Sequence, residues 1–336
     1  MNKVYSQHTG KVIQDSRFAH TMALSLNPKT NYSDGLIRCI TKRTGEVNVK
    51  GYLDISELYL VKELKKYEKY EITEPLNIAN SEQILKELSS EGFEFIGLED
   101  PDIIFDQEKN LLHVYFTIPL IDKGDSHSRI YLGHAVGNDL NCLEMTEPVL
   151  DVSQSLDLSA KELALAPVNS KGLRLNLVES REHKDGIKYS TVRVAEARSL
   201  GGKWEYGSTV IRPYELSYAW CAGHVSPGPF LPQKFINVGK TKLVGFLNGR
   251  EANKYENGLT KYGIFSVGLF IYDFENGAVE WISKEPIIKD SEAMNITFAS
   301  QFIQTGIEEG ILYAHVDDSF VRAYTIYKEN LGKLLF

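Results

Sequence analysis

A recurring strand unit constrains this chain more than any other feature of its sequence. Four segments open on polar or turn-forming residues, Glu99-Asp100-Pro101, Lys161-Glu162-Leu163, Pro227-Gly228-Pro229 and Asn295-Ile296-Thr297, and each runs on through a turn into apolar strands. They recur at roughly 60- to 70-residue intervals, and a comparable unit from His20 to Ile40 precedes them. A unit of this kind cannot bury its apolar face alone and must close against neighbouring copies. Five such units fill the chain. The expected fold is therefore all-β, a five-bladed β-propeller formed by residues 1–336 as one domain. A β-sandwich would leave the polar openings unexplained, whereas in a propeller the innermost strands line a central channel where polar residues from different blades converge.

The local signals agree with strands. Leu111-Leu112-His113-Val114-Tyr115-Phe116-Thr117, Ser190-Thr191-Val192-Arg193-Val194, Lys242-Leu243-Val244-Gly245-Phe246-Leu247 and Ile311-Leu312-Tyr313-Ala314-His315-Val316 are β-branched and aromatic runs between Gly, Asn and Asp turns. The 18 tyrosines and 15 phenylalanines suit strands better than helices. One stretch stands apart. In residues 56–90, Leu60, Leu64 and Tyr67 fall at i, i+4 and i+7, and Ile84 and Leu88 at i and i+4, so the spacing predicts a short helical insertion, with Ser81 as a cap.

Charge narrows the partners. The net charge of −8 argues against nucleic acid and anionic membrane, which select basic surfaces. With 43% hydrophobic and 24% charged residues a packed core is affordable and general disorder is excluded. No apolar run approaches the ~18 residues of a membrane span, and the opening Met1-Asn2-Lys3-Val4-Tyr5 lacks an apolar signal core, so a cytoplasmic protein is expected. Cys39, Cys142 and Cys221 are far apart, and none of the eight histidines forms an HxH or HxxxH pair. No disulfide framework, metal site or cofactor is expected.

Three motifs in blade order carry a resemblance. Gly97-Leu98-Glu99-Asp100-Pro101-Asp102-Ile103 with Val114-Tyr115-Phe116-Thr117, then Gly223-His224-Val225-Ser226-Pro227-Gly228-Pro229 with Phe246-Leu247-Asn248-Gly249, then Tyr313-Ala314-His315-Val316-Asp317-Asp318-Ser319, resemble the signatures of the five-bladed glycosidase propellers. The nearest is glycoside hydrolase family 130, the β-mannoside phosphorylases and related mannosidases. The resemblance implies that Asp100 is the catalytic acid, that Asp318 contacts sugar, and that Lys161 or Glu162 opens the third blade with a substrate or phosphate contact. The pattern also departs: the family's Arg after Glu-Asp-Pro is Asp102 here, its Arg/Asn pair is replaced by Ile118 and Pro119, and its Tyr-His-Gly histidine is Asn248. A phosphate clamp needs several cationic donors together, so hydrolysis gains over phosphorolysis.

Glycoside cleavage asks for two carboxyl groups, and the expected set is Asp100, Glu162 and Asp318. Glu99 should lie on the opposite face of its strand from Asp100. Lys161, His224, Asn248, His315, Tyr115, Arg250 and Glu99 are candidate substrate contacts. The Gly and Pro neighbours of His224 favour a rigid loop with close ligand approach. Tyr115, Tyr218, Trp220 and Phe230 are candidate sugar platforms, although core packing is the commoner role for each. The expected partner is an oligosaccharide, with inorganic phosphate as an alternative co-substrate and the oligomeric state open. Rival readings are a mannoside phosphorylase, an arabinan- or xylan-directed propeller glycosidase, which lacks a first-blade carboxylate in His20-Thr21-Met22-Ala23-Leu24, and a sugar-binding propeller without catalysis.

Overall fold

Each polar opening read from the sequence lies on or beside a strand. The structure, a computed structural model, describes residues 3–89, 92–122, 128–152 and 158–335. Among them the strands pair into five antiparallel meanders of four. The first runs His20–Leu26, Asp34–Thr44, Leu53–Lys65, Lys69–Pro75. The second is Glu99–Asp106, Leu111–Asp122, Ser128–Gly137, Leu143–Leu150. The third is Lys161–Ala164, Arg174–Lys184, Ile187–Ala197, Glu205–Ile211. The fourth is His224–Phe230, Lys242–Arg250, Phe265–Asp273, Ala278–Ile282. The fifth takes Thr297–Gln304, Glu309–Val316 and Phe320–Tyr327 from the C-terminal part. Its outer strand is Tyr5–Gln7, antiparallel to Phe320–Tyr327. The two ends of the chain therefore share one sheet, a closure that three polar-rich residues do not announce.

The first strands of successive meanders pack on one another, and that of the fifth packs back on the first, forming a closed ring around an axis. Side chains staple neighbouring members through buried backbone groups. Ser25 Oγ accepts from the Ile103 amide at 3.0 Å, Gln301 bonds both the N–H and the C=O of Leu26, and Asn248 does the same to Ala299. Each staple satisfies polar groups that would otherwise cost about 1–3 kcal/mol buried and unpaired. The apolar core lies between the meanders. Leu36 and Leu58 meet Leu112 and Val114, Leu177 and Val192 meet Leu243 and Phe270, Ile37 meets Tyr313 and Val321, and Val244 and Phe246 meet Leu312 and Tyr324. Full burial of one such aliphatic side chain stabilises by about 1.5–3 kcal/mol.

The helical insertion expected over 56–90 is corrected (residue 90 lies outside the described residues). Leu53–Lys65 and Lys69–Pro75 are strands of the first meander, and only Ser81–Leu88 is helical. The i, i+4 spacing of Leu60 and Leu64 was coincidental, since Leu64 is 64% exposed and Tyr67 sits in a turn at φ 61°. The buried members alternate instead, Asp54, Ser56 and Leu58, which is the period of a strand. Ser81 is the first helical residue and not the cap; Asn80 holds that position. Ile84, Leu85 and Leu88 rest on the core of the second meander. No helix is long and apolar enough to cross a membrane.

Candidate active site

Every first strand breaks register with its neighbour at a similar depth: between Met22 and Ser25, Glu99 and Asp102, Lys161 and Leu163, Pro227 and Phe230, and Ala299 and Gln301. Such bulges re-aim side chains. In three successive meanders the bulge holds a non-glycine residue in the left-handed region, Ala23 at φ 51°, Asp100 at 49° and Glu162 at 51°. That backbone costs about 1–3 kcal/mol per residue and persists only where the surroundings enforce it. Two of the three carry carboxyl groups, and both reach one cavity on the ring axis.

The cavity holds about 730 Å³, within the ~300–1,000 Å³ of small-molecule sites. Its wall includes Asp100, Lys161, Glu162, His224, Arg250, His315 and Asp318, residues from four different meanders or their adjoining turns. Arg38 joins them from the first. Of the remaining sequence candidates, Glu99 lies just behind the wall. The bulge cancels the expected alternation, so Arg38 donates to Asp100 at 3.0 Å and also to Glu99, while its Nε reaches Ser56 at 3.1 Å. Tyr115 and Asn248 stand outside the wall. Tyr115 is fully buried, with its hydroxyl on the Leu200 carbonyl at 2.8 Å, and Asn248 is the staple described above. Trp220 packs in the core, with Tyr218 and Phe230 against it. The aromatic rings in the wall are Tyr52, Tyr262, Phe265 and Phe298.

Electrostatics separate the carboxyl groups. Glu162 is driven well above the usual carboxylate range, first by removal from water and then by the charge of Asp100. Glu99 is raised to about 7 by burial, against the pull of Arg38. Asp102 is raised to about 7 by burial and by Asp100. Asp318 behaves oppositely. Burial acts against its charge, but the His315 contact at 3.2 Å, Arg38 and Arg43 outweigh that and hold it below the usual range. Tyr52 also donates to Asp318 at 3.3 Å. Glu179, also in the cavity wall, is pulled down to about 2: burial opposes the charge, yet His224 at 3.1 Å and Lys161 at 3.8 Å prevail.

Cationic side chains share the wall with the acidic ones. Burial works against the charge of Lys161, but Glu179 and Asp100 outweigh it and hold the ammonium above its usual range. Lys188, on the rim, is lowered to about 8 by partial loss of water and by Arg181 and Lys161. Arg181 lines the wall while donating to the Ser128 carbonyl at 2.6 Å and the Leu158 carbonyl at 3.1 Å. Arg250 lies over the Tyr262 ring at 4.4 Å, and its buried Nε has no hydrogen-bond partner among the described residues. Among those residues no three His, Cys, Asp or Glu side chains are grouped to hold a metal ion.

Arg38, Tyr52, Glu179 and Tyr262 were absent from the sequence candidates. A signal existed for two of them. Ile37-Arg38-Cys39 and Val178-Glu179-Ser180 place a charge inside an otherwise buried strand, and buried charges require partners.

Comparison with known proteins then bears on the fold. No family model matches the chain, and no curated protein matches its sequence. Solved structures do match. β-1,2-Mannobiose phosphorylase from Listeria innocua superposes with a TM-score of 0.60 at 15% identity, over 99% of this chain and 91% of that one. A mannose phosphorylase from Leishmania mexicana gives 0.57 at 14%, over 98% and 91%. The catalytic domain of an α-L-arabinofuranosidase from Coprinopsis cinerea gives 0.55 at 8%, over 96% and 97%. The chain has the β-propeller fold of these carbohydrate-active enzymes. Identities this low establish the fold alone.

Proposed function

We propose that the five meanders are the blades of a five-bladed propeller and that the chain is a glycoside hydrolase acting on a mannoside or a related oligosaccharide. The observation that carries this reading is the pair at the two bulges, which line one cavity: Glu162, driven above the usual carboxylate range by burial and by the charge of Asp100, and Asp100, held by Arg38 at 3.0 Å. A glycosidic oxygen needs a proton as its bond breaks. Burial and the charge of Asp100 favour the protonated form of Glu162, so it takes the donor role. This reverses the roles expected from sequence, and the physical reason is the burial of Glu162 together with the charge of Asp100, which favour the protonated form of Glu162. Asp318, ionised and fixed by His315 and Tyr52, is placed to accept from a sugar hydroxyl or from the attacking water. The wall aromatics Tyr262 and Phe298 offer faces for the apolar side of a sugar ring.

A second reading rests on a separate observation. Lys161, Lys188 and Arg250 bring cations to the wall, and the same site could use inorganic phosphate as acceptor and release a sugar 1-phosphate. Turnover of manno-oligosaccharides with and without phosphate separates the two. Hydrolysis predicts free sugar at an unchanged rate in phosphate-free buffer. Strict phosphate dependence favours the phosphorylase. Glycan binding by the wild type without turnover on a broad panel, unaltered in Glu162→Gln, would identify a binding propeller and end both.

A further inference from the structure

The proton donor leaves a histidine–carboxylate pair in the same wall unused. His224 opens the first strand of the fourth meander, and Glu179 lies in the second strand of the third, opposite Lys161 in register. Both line the cavity that Glu162 lines. The third and fourth meanders pack together through their inner strands, and His224 Nε2 stands 3.1 Å from a Glu179 carboxylate oxygen. Two contacts fix the imidazole further. A Cβ at Gly223 would collide with Glu251 O, so only glycine lets the strand start this close to its neighbour. Phe265 meets the ring edge to face at 4.9 Å.

The pairing also fixes which nitrogen is free. An ionised carboxylate only accepts hydrogen bonds, so Nε2 carries the proton and donates it to Glu179. The lone pair of the neutral ring is then on Nδ1, which makes no hydrogen bond among the described residues. Loss of water holds the imidazole below its ordinary range; Glu179 opposes this, while Arg250 and Lys161 reinforce it. Asp318 is the weaker base of the two. Despite its burial, His315, Arg38 and Arg43 hold it below the usual carboxylate range, whereas a base works best with a pKa near the working pH.

We propose that His224 is the base that activates the attacking water, that Glu179 is its positioning residue, and that Asp318 holds a sugar hydroxyl. This rests on the hydrolase reading above and assigns its second catalytic residue. One O–H bond of the water breaks, its proton passes to His224 Nδ1, and the water oxygen bonds to the anomeric carbon. The glycosidic C–O bond breaks with its electron pair left on the departing oxygen, which takes the proton of Glu162. One proton lost from His224 to solvent and one gained by Glu162 restore the resting state.

The test uses an aryl mannoside and manno-oligosaccharides. Direct attack by water inverts the anomeric centre, and proton NMR of the wild-type product should show inversion. His224→Ala should lose about 10²–10⁴-fold in kcat on both substrates. Sodium azide, a nucleophile that needs no base, should restore turnover in this variant and yield the mannosyl azide. Glu179→Gln removes the charge that favours the imidazolium, so the acidic limb of its kcat/KM profile should move to lower pH. Where His224→Ala fails to fold, the Glu179→Gln profile and the wild-type anomer still decide. A retained anomer, full activity or absent azide rescue in a folded His224→Ala, an unmoved acidic limb, or strict phosphate dependence overturns the inference while leaving glycoside cleavage intact. No turnover of any saccharide by the wild type overturns the functional reading and this inference with it.

Discussion

Glu162→Gln removes a proton donor while keeping the size and polarity of the side chain. A positioned general acid contributes about 10²–10⁴ in rate, or about 3–5 kcal/mol at 1.36 kcal/mol per decade. The loss should fall mainly on kcat for substrates with a poor leaving group, such as a sugar hydroxyl. It should shrink for an aryl glycoside whose phenolate leaves without protonation. The pH dependence carries the sharper information. The donor must be protonated to act, so wild-type activity declines as pH rises through the raised pKa of Glu162. Part of that elevation comes from the charge of Asp100. Asp100→Asn removes this charge and should move the alkaline limb of kcat/KM to lower pH, even where the absolute rate is poor. A stopped assay of released reducing sugar from an oligosaccharide across pH 4–9, with an aryl glycoside as the comparison substrate, measures both effects. The assignment is refuted if Glu162→Gln keeps its rate on oligosaccharides, or if the alkaline limb stays in place when Asp100 is neutralised.

Four further outcomes follow from the same geometry. Arg38→Met strands Glu99 and Asp100 without their shared cation; breaking a buried pair costs about 3–5 kcal/mol, and denaturant titration should show that loss together with low activity. Asn248→Ala frees the amide and carbonyl of Ala299, so stability should fall by about 2–6 kcal/mol at about 1–3 per group, while turnover in the cold is retained. Asp102→Asn should raise the melting temperature increasingly between about pH 4 and pH 7. The folded carboxyl group is raised to about 7, so its ionisation costs stability as pH rises through that window and no further cost accrues above it. Removing Tyr5–Gln7 exposes the edge of Phe320–Tyr327, and the truncated chain should melt earlier and self-associate in sedimentation.

The strand units were legible because a polar opening inside an apolar run has no reason to exist unless it faces something. Glu99-Asp100, Lys161-Glu162 and His224 mark three of the ring's inner strands for that reason. The strand from Leu53 to Lys65 was not legible, since Leu60, Leu64 and Tyr67 mimic a helical stripe and nothing local says that the neighbour is Asp34–Thr44. Closure by Tyr5–Gln7 depends on a partner more than 300 residues away, beyond any local pattern. In the site, side-chain type identified groups capable of the chemistry but not the bulges that aim them. Alternation alone separates Glu99 from Asp100; the register break puts both on Arg38. Asn248 shows the converse, a position marked by motif alignment whose amide is consumed by backbone pairing inside the ring.

A crystal structure of Glu162→Gln soaked with mannobiose tests the central claim most directly. The account predicts the glycosidic oxygen within about 3.2 Å of the residue 162 side chain, with sugar hydroxyls on Asp318. A disaccharide bound on the outer rim, with both bulged positions out of its reach, would contradict it.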